Sequence, residues 1–153
     1  MQTIAIIGCG AISEAVAGYL ADHDSVAIGV AIIEPDMDSR AREVFGEDVE
    51  IAYTVGDVSM RIDLAVDCAG HPALRQHGAE LLAGGTNLVS VSSGALADSE
   101  LYASLAAAAK QGGTQLRVVS GAIGALDALS AASIGELQNV TYRGRKPPRG
   151  WRG

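Results

Sequence analysis

The stretch Thr3-Ile4-Ala5-Ile6-Ile7-Gly8-Cys9-Gly10-Ala11-Ile12-Ser13 decides the fold of this chain. It starts as a short apolar run typical of a buried strand and passes two glycines separated by one residue. It then enters a segment, residues 11–20, with apolar residues at helical spacing. This arrangement nearly matches the pattern G-x-G-x-x-G, whose first glycine permits a tight turn and whose second lets a pyrophosphate approach the backbone. The helix N terminus offers N–H groups and a positive dipole to phosphates. The stretch therefore predicts a dinucleotide-binding turn; the alternative is an ordinary strand-to-helix turn.

The predicted pyrophosphate-binding residues are Gly8, Gly10, Ala11 and Ile12. Ser13 departs from the pattern, because its position normally holds Gly or Ala so that the helix packs closely on the strand. Since serine is small, we expect a local shift and no loss of the turn.

Apolar runs and helical stretches alternate along the rest of the chain. Strands are predicted at residues 3–7, 26–33, 50–53, 64–69, 87–91, 115–119 and 137–143. Helices are predicted at residues 11–20, 57–60 and 125–132. Three further helices are predicted: one capped by Asp36 and ending at residue 44, one with Pro72 in its first turn and ending at residue 83, and one capped by Asp98 and ending at about residue 110. The strands are too apolar to have one solvated face, so the sequence predicts a Rossmann-type doubly wound α/β domain with a parallel sheet covered on both faces.

Glu34 ends the second predicted strand. In this fold an acidic residue at that position accepts hydrogen bonds from the adenosine ribose hydroxyls. A 2′-phosphate would meet a negative charge there, and the next basic residue is Arg40, so the sequence favours NAD over NADP as cofactor. The alternative is a solvent-facing glutamate before a turn at Pro35.

Two further turns follow strands of the predicted sheet, at the edge where ligands bind in such folds. Ala69 ends the fourth strand and Gly70 follows it, where a nicotinamide ribose would pass, and His71 either touches the cofactor or serves only as the start of a helix. Ser92 follows the fifth strand, and its hydroxyl and the turn N–H groups are candidates to hold a carboxamide or a carboxylate, with plain turn chemistry as the alternative.

The remaining cysteines and histidines give weaker signals. Cys9 and Cys68 are expected to be buried apolar residues without a disulfide. His23 and His77 are expected on helix surfaces.

Composition excludes several classes of protein. The chain has 153 residues, of which 48% are hydrophobic, enough for a core. Two cysteines exclude a disulfide scaffold, and neither lies in a metal-ligand pattern, so no metal site is expected. There is no run of about 20 apolar residues that could cross a membrane. A cytoplasmic protein is expected.

Charge is distributed unevenly. All 18 acidic residues precede position 143. Five of the 11 basic residues, Arg143, Arg145, Lys146, Arg149 and Arg152, lie at or after it. An acidic body is repelled by nucleic acid and anionic membranes, so neither is an expected partner, although the tail alone would suit a nucleic-acid-binding arm.

Several segments together resemble the L-aspartate dehydrogenase family over the whole chain. They are Ile7-Gly8-Cys9-Gly10-Ala11-Ile12, Asp67-Cys68-Ala69-Gly70-His71, Val91-Ser92-Ser93-Gly94-Ala95-Leu96-Ala97-Asp98, Ser120-Gly121-Ala122-Ile123-Gly124-Ala125-Leu126-Asp127-Ala128-Leu129 and Arg145-Lys146-Pro147-Pro148.

The resemblance implies an NAD(P)-dependent oxidoreductase that converts L-aspartate to iminoaspartate, hence oxaloacetate and ammonia, on the route of NAD biosynthesis. It implies that Ala122 contacts NAD. It also implies that the catalytic histidine lies beyond Gly153, because family members are longer and no histidine here matches it.

The same resemblance divides the chain into a dinucleotide-binding domain, 1–120, and the beginning of an incomplete second α+β domain, 121–153. A strand at 137–143 would then lack its own sheet, so it should fray, add to another edge or pair with another chain, and a homo-oligomer is expected. The alternative function is a non-catalytic NAD-binding sensor or interaction module. An S-adenosylmethionine-dependent methyltransferase shares the glycine turn but does not account for residues 121–129.

Overall fold

The computed structural model describes residues 1–119, 126–141 and 143–145. The chain divides into two units, Met1–Gly121 and Ala122–Gly153. In the first unit, the described residues form six strands and four α-helices: β1 (Gln2–Ile7), α1 (Ala11–Leu20), β2 (Val26–Ile32), α2 (Asp38–Phe45), β3 (Glu50–Ala52), β4 (Leu64–Asp67), α3 (His71–Ala83), β5 (Asn87–Ser90), α4 (Ser99–Gly112) and β6 (Leu116–Val118). In the second unit, the described residues include one helix, α5 (Leu126–Ala132).

All six strands form one parallel sheet with the order β3-β2-β1-β4-β5-β6. The order reverses between β1 and β4, which places a crevice at the carboxyl ends of these two central strands. This topology confirms the predicted Rossmann-type doubly wound sheet.

The core lies on both faces of the sheet, as the apolar strands predicted. On β2, Val30 and Ile32 belong to one buried cluster together with leucines of α3 and α4, whereas Ala31 belongs to a second cluster with Ala41 of α2. Alternate residues of one strand point to opposite faces, so β2 is buried on both sides.

Two local predictions around α2 and β3 are wrong. Asp36 does not cap a helix: α2 begins at Asp38 after Met37, and Asp36 itself has a φ of 74°, a left-handed conformation that aspartate tolerates better than most residues. The short helix expected at 57–60 is instead a 3₁₀ turn at Val55–Asp57, because the Thr54 hydroxyl and N–H both donate to the Asp57 carboxylate and fix the turn earlier.

The strand predicted at 137–143 is also wrong for the residues that the structure describes there. Residues 137–141 and 143 have no strand structure, and their side chains are exposed. A strand requires a neighbour that accepts its backbone hydrogen bonds, and apolar spacing alone does not supply one.

Candidate dinucleotide-binding site

The glycine turn between β1 and α1 has the geometry that the sequence predicted. Gly8 has a φ of 93°, and its N–H donates to the Ile32 carbonyl oxygen over 2.8 Å. A Cβ on Gly8 would lie 2.9 Å from the Cβ of Ala69, so only glycine fits. This close approach brings the turn against the end of β4 and fixes both at the crevice.

Gly10 leaves open space where a ligand would approach. A Cβ built on Gly10 would have no atom within 4 Å. Gly10 is also the residue that precedes α1, and no side chain caps that helix. The first N–H groups of a helix have no partner inside the helix, so those of Ala11 and Ile12 remain available to an anion above the exposed turn.

Ser13 is compatible with the glycine turn, but burying its hydroxyl costs folding free energy. Its side chain is fully buried, and its Oγ has no hydrogen-bond partner among the described residues. Burial, and then the Asp67 carboxylate, raises the pKa of the half-buried Cys68 thiol, and the Ser13 side chain lowers it by less. The raised pKa favours the protonated thiol over the more reactive thiolate.

Glu34 lies just beyond β2, with its side chain exposed after the buried residues Ile32 and Ile33. The nearest arginine in sequence, Arg40, is already engaged. Its guanidinium lies 2.6 Å from a Glu14 carboxylate oxygen and 2.8 Å from one of Glu43. A cation held by two carboxylates offers little attraction to a 2′-phosphate.

The turn after β4 presents backbone to the same edge. Ala69 is exposed, and Gly70 has a φ of 101° and precedes α3 without a side-chain cap. His71 begins α3, and its ring packs on Gly94. A Cβ built on Gly94 would lie 2.9 Å from both Cε1 and Nε2 of the His71 ring. The structure therefore brings the turns after β4 and β5 into contact.

Ser92 is almost fully buried, and its hydroxyl donates to the Asp67 carboxylate over 2.7 Å. The Ser92 hydroxyl therefore donates its hydrogen bond within the protein. A direct hydrogen bond from Ser92 to a cofactor stays a prediction. Ala122 lies outside the described residues.

The structure shows features that the sequence analysis missed or misplaced. Asp67 and Ser90 complete a buried polar cluster with Ser92, and polar residues at the ends of two apolar strands are the sequence signal for it.

His77 is buried, not on the surface, because it lies four residues from both Ala73 and Leu81 on the inner face of α3. Burial lowers the His77 pKa, against smaller opposing effects of Glu80, Glu34 and Asp67. Cys9 is buried as expected, and both cysteines are free.

Two kinds of feature are missing from the described part of the chain. None of its helices is long and apolar enough to cross a membrane. No three His, Cys, Asp or Glu side chains within the described ranges are grouped so that they could hold a metal ion.

The fold and the glycine turn define a dinucleotide-binding domain of the Rossmann class. The chain belongs to the family described as "Homoserine dehydrogenase, NAD binding domain", whose model matches residues 8–119. This match confirms NAD as the predicted cofactor.

The resemblance to L-aspartate dehydrogenases is also confirmed. The chain is 49% identical over 150 residues to L-aspartate dehydrogenase of Ruegeria pomeroyi, covering 98% of this chain and 53% of the relative. It is 40% identical over 156 residues to that of Ralstonia nicotianae, covering 100% of this chain and 58% of the relative. The chain thus spans somewhat more than half the length of these relatives.

Solved structures support the same fold. The aspartate dehydrogenase of Thermotoga maritima matches 88% of this chain and 52% of its own, with a TM-score of 0.62 and 22% identity. The WlbA dehydrogenase of Chromobacterium violaceum, solved with NADH and UDP-GlcNAcA, matches 86% of this chain and 39% of its own, with a TM-score of 0.68 and 20% identity.

Proposed function

We propose that the chain binds NAD across the carboxyl edge of its sheet, as the cofactor-binding part of an L-aspartate dehydrogenase-like oxidoreductase. The observation that carries this proposal is the glycine turn, where Gly8 packs on Ala69 while Gly10 leaves open space at the uncapped start of α1. Open backbone at a helix N terminus suits a pyrophosphate.

The two halves of NAD occupy opposite sides of the glycine turn in this proposal. Gly8, Gly10, Ala11 and Ile12 hold the pyrophosphate, and Glu34 receives the adenosine ribose hydroxyls. The nicotinamide half extends over the turns after β4 and β5, where Ala69, Gly70 and Ser92 lie, and Ala122 is a further proposed contact. This assignment follows the strand order, because ligands in such sheets cross the switch point between β1 and β4.

Bound NAD supplies the hydride acceptor for oxidation of the substrate. The described residues of this chain bind and orient it: the N–H groups at the α1 N terminus hold the pyrophosphate and offset part of its negative charge, and Glu34 fixes the adenosine ribose. L-Aspartate as substrate, with iminoaspartate as product, and a place in NAD biosynthesis are proposed from the similarity to the longer relatives. No residue of the chain is assigned to proton transfer, so turnover of L-aspartate is the measurement that separates an enzyme from a non-catalytic NAD-binding module.

Preference for NAD over NADP is part of the proposal. An exposed carboxylate at Glu34 repels a 2′-phosphate, and Arg40 is held by Glu14 and Glu43. We further propose a cytoplasmic location and a homo-oligomer, with neither nucleic acid nor membrane as partner; the acidic body of the chain supports the last point.

Isothermal titration of NAD tests the site through two matched glycine variants. Gly10→Ala places a methyl group in the open space at the turn, and its φ of −84° suits any residue. Gly18→Ala adds the same methyl group in open space within α1, away from the turn. We expect Gly10→Ala to weaken NAD binding by about tenfold or more, which corresponds to about 1.4 kcal/mol. Gly18→Ala should leave the affinity unchanged.

Melting temperatures of both variants serve as the check on folding. Equal NAD affinities for the wild type and Gly10→Ala, with both proteins folded, would contradict the proposed site.

A further inference from the structure

Asp67, Ser90 and Ser92 form a buried polar cluster at the carboxyl ends of β4 and β5. Asp67 Oδ2 accepts hydrogen bonds from Ser90 Oγ over 2.6 Å and from Ser92 Oγ over 2.7 Å. Asp67 Oδ1 accepts a third from the Ala69 N–H over 3.0 Å. Both Asp67 and Ser90 are fully buried.

The backbone closes the cluster. The Ser92 N–H donates to Ser90 Oγ over 2.9 Å, and the Val91 N–H donates to the Asp67 carbonyl oxygen over 3.2 Å. One aspartate thus ties the turn after β4 to the turn after β5, although 23 and 25 residues separate it from its two serine partners.

A buried polar cluster of this kind gives no clear gain in folding stability over an apolar core. Burying a carboxylate costs several kcal/mol unless its partners compensate, and apolar residues of similar volume are often as stable. None of the salt bridges in the described part of the chain involves Asp67. Among the described residues, the partners of its side chain are therefore hydrogen-bond donors and not cations, and the bonds fix those donors in place.

The turns fixed in this way follow β4 and β5, which lie on the other side of β1 from β2 and Glu34. Ala69 and Gly70 are the backbone of the turn after β4, and the turn after β5 carries Gly94, on which the His71 ring packs. Since the adenosine half is assigned to Glu34 beyond β2, these turns lie on the nicotinamide side of the sheet.

We propose that Asp67 is a positioning residue for the nicotinamide half of the site. It does not touch the cofactor; it holds the Ala69-Gly70 turn and Ser92 in the arrangement that receives the nicotinamide ribose and ring. The proposal rests on the proposed NAD-binding function.

Titration with two probes tests this role. ADP reaches only the adenosine and pyrophosphate part of the site, whereas NAD reaches the whole of it. In Asp67→Asn, the amide cannot accept all three hydrogen bonds. We expect its NAD dissociation constant to rise by about tenfold because the turns that receive the nicotinamide half lose one of the bonds that hold them, while ADP affinity stays within about twofold of wild type.

Two comparisons separate positioning from general stability. Asp63→Asn changes the same residue type at the amino ends of the strands, where Asp63 accepts a hydrogen bond from the Thr3 N–H over 2.9 Å. This variant should leave the affinities for NAD and ADP unchanged. Ser92→Ala should reproduce the selective loss of NAD affinity, and Ser92→Thr, which keeps the hydroxyl, should restore it.

The outcomes distinguish this inference from the function on which it rests. Selective loss of NAD affinity in Asp67→Asn and Ser92→Ala supports it. Equal losses for NAD and ADP, or no loss in Ser92→Ala, overturn it while wild-type binding upholds the proposed function. If Asp67→Asn does not fold, the Ser92 pair decides. A wild-type chain that binds neither probe overturns both.

Discussion

Replacing Glu34 by alanine separates recognition of NAD from recognition of NADP. Glu34 is exposed beyond the buried residues Ile32 and Ile33, so its removal leaves the core of the sheet intact. The change should therefore act on ligand binding, with little effect on the melting temperature.

The magnitude follows from the hydrogen bonds lost. Two bonds from ribose hydroxyls to a carboxylate are charge-assisted, each worth about 1.5–3 kcal/mol. Water offsets part of this loss, so Glu34→Ala should weaken NAD binding by about 1–3 kcal/mol, or roughly 5- to 150-fold. NADP should gain in relative terms because a repelling charge has gone. Its gain is limited because Arg40 stays paired with Glu14 and Glu43.

Calorimetric titration of both dinucleotides measures the effect. Glu47→Ala is the matched control, since Glu47 is an exposed glutamate in the connection between α2 and β3, at the opposite edge of the sheet from Glu34. It removes the same charge and should change neither affinity. If Glu34→Ala binds both NAD and NADP as the wild type does, Glu34 is a surface residue and the reasoning fails.

Three further predictions concern stability. Ser13→Ala removes a buried hydroxyl without a hydrogen bond, so we expect chemical denaturation to show a gain of about 1 kcal/mol; a loss would mean that the hydroxyl has a partner in solution. Gly8→Ala forces a positive φ and a contact of 2.9 Å with Ala69, and should lose about 1–3 kcal/mol in the same measurement, whereas an unchanged midpoint would refute the close approach. Burial lowers the His77 pKa, so the unfolded chain takes up its proton first; the stability due to neutral His77 is present above about pH 6.5 and is lost as pH falls toward the folded-state pKa. Unfolding from pH 7.5 to 5 should therefore be more pH-dependent in the wild type than in His77→Gln, and equal slopes would contradict this.

The sheet and the glycine turn could be predicted from the sequence because their signals are local. Helix α1 begins and ends where its apolar spacing predicted, and the apolar runs around Ile6, Val30 and Val66 became neighbouring parallel strands. Asp98 caps α4 as expected, accepting the N–H groups of Glu100 and Leu101.

The features that escaped prediction depend on distant partners. The bonds between Asp67 and its serines require the register of β4 against β5, which no local pattern specifies. The spacing of Ala73, His77 and Leu81 marks the inner face of α3, whereas histidine as a residue type is less often fully buried than an apolar residue. β-Branched residues favour a strand at 137–143, but a strand forms only where a partner accepts its backbone hydrogen bonds.

Amide chemical shifts recorded during a titration with NAD test the central claim most directly, because they locate the ligand on the chain. We predict that the largest shifts at saturation fall on residues 8–13 of the glycine turn, then on Glu34 and on the Ala69-Gly70 turn, with little change at the opposite edge around Asp63 and Gly113. Shifts confined to that opposite edge, or none at millimolar NAD, would contradict the account.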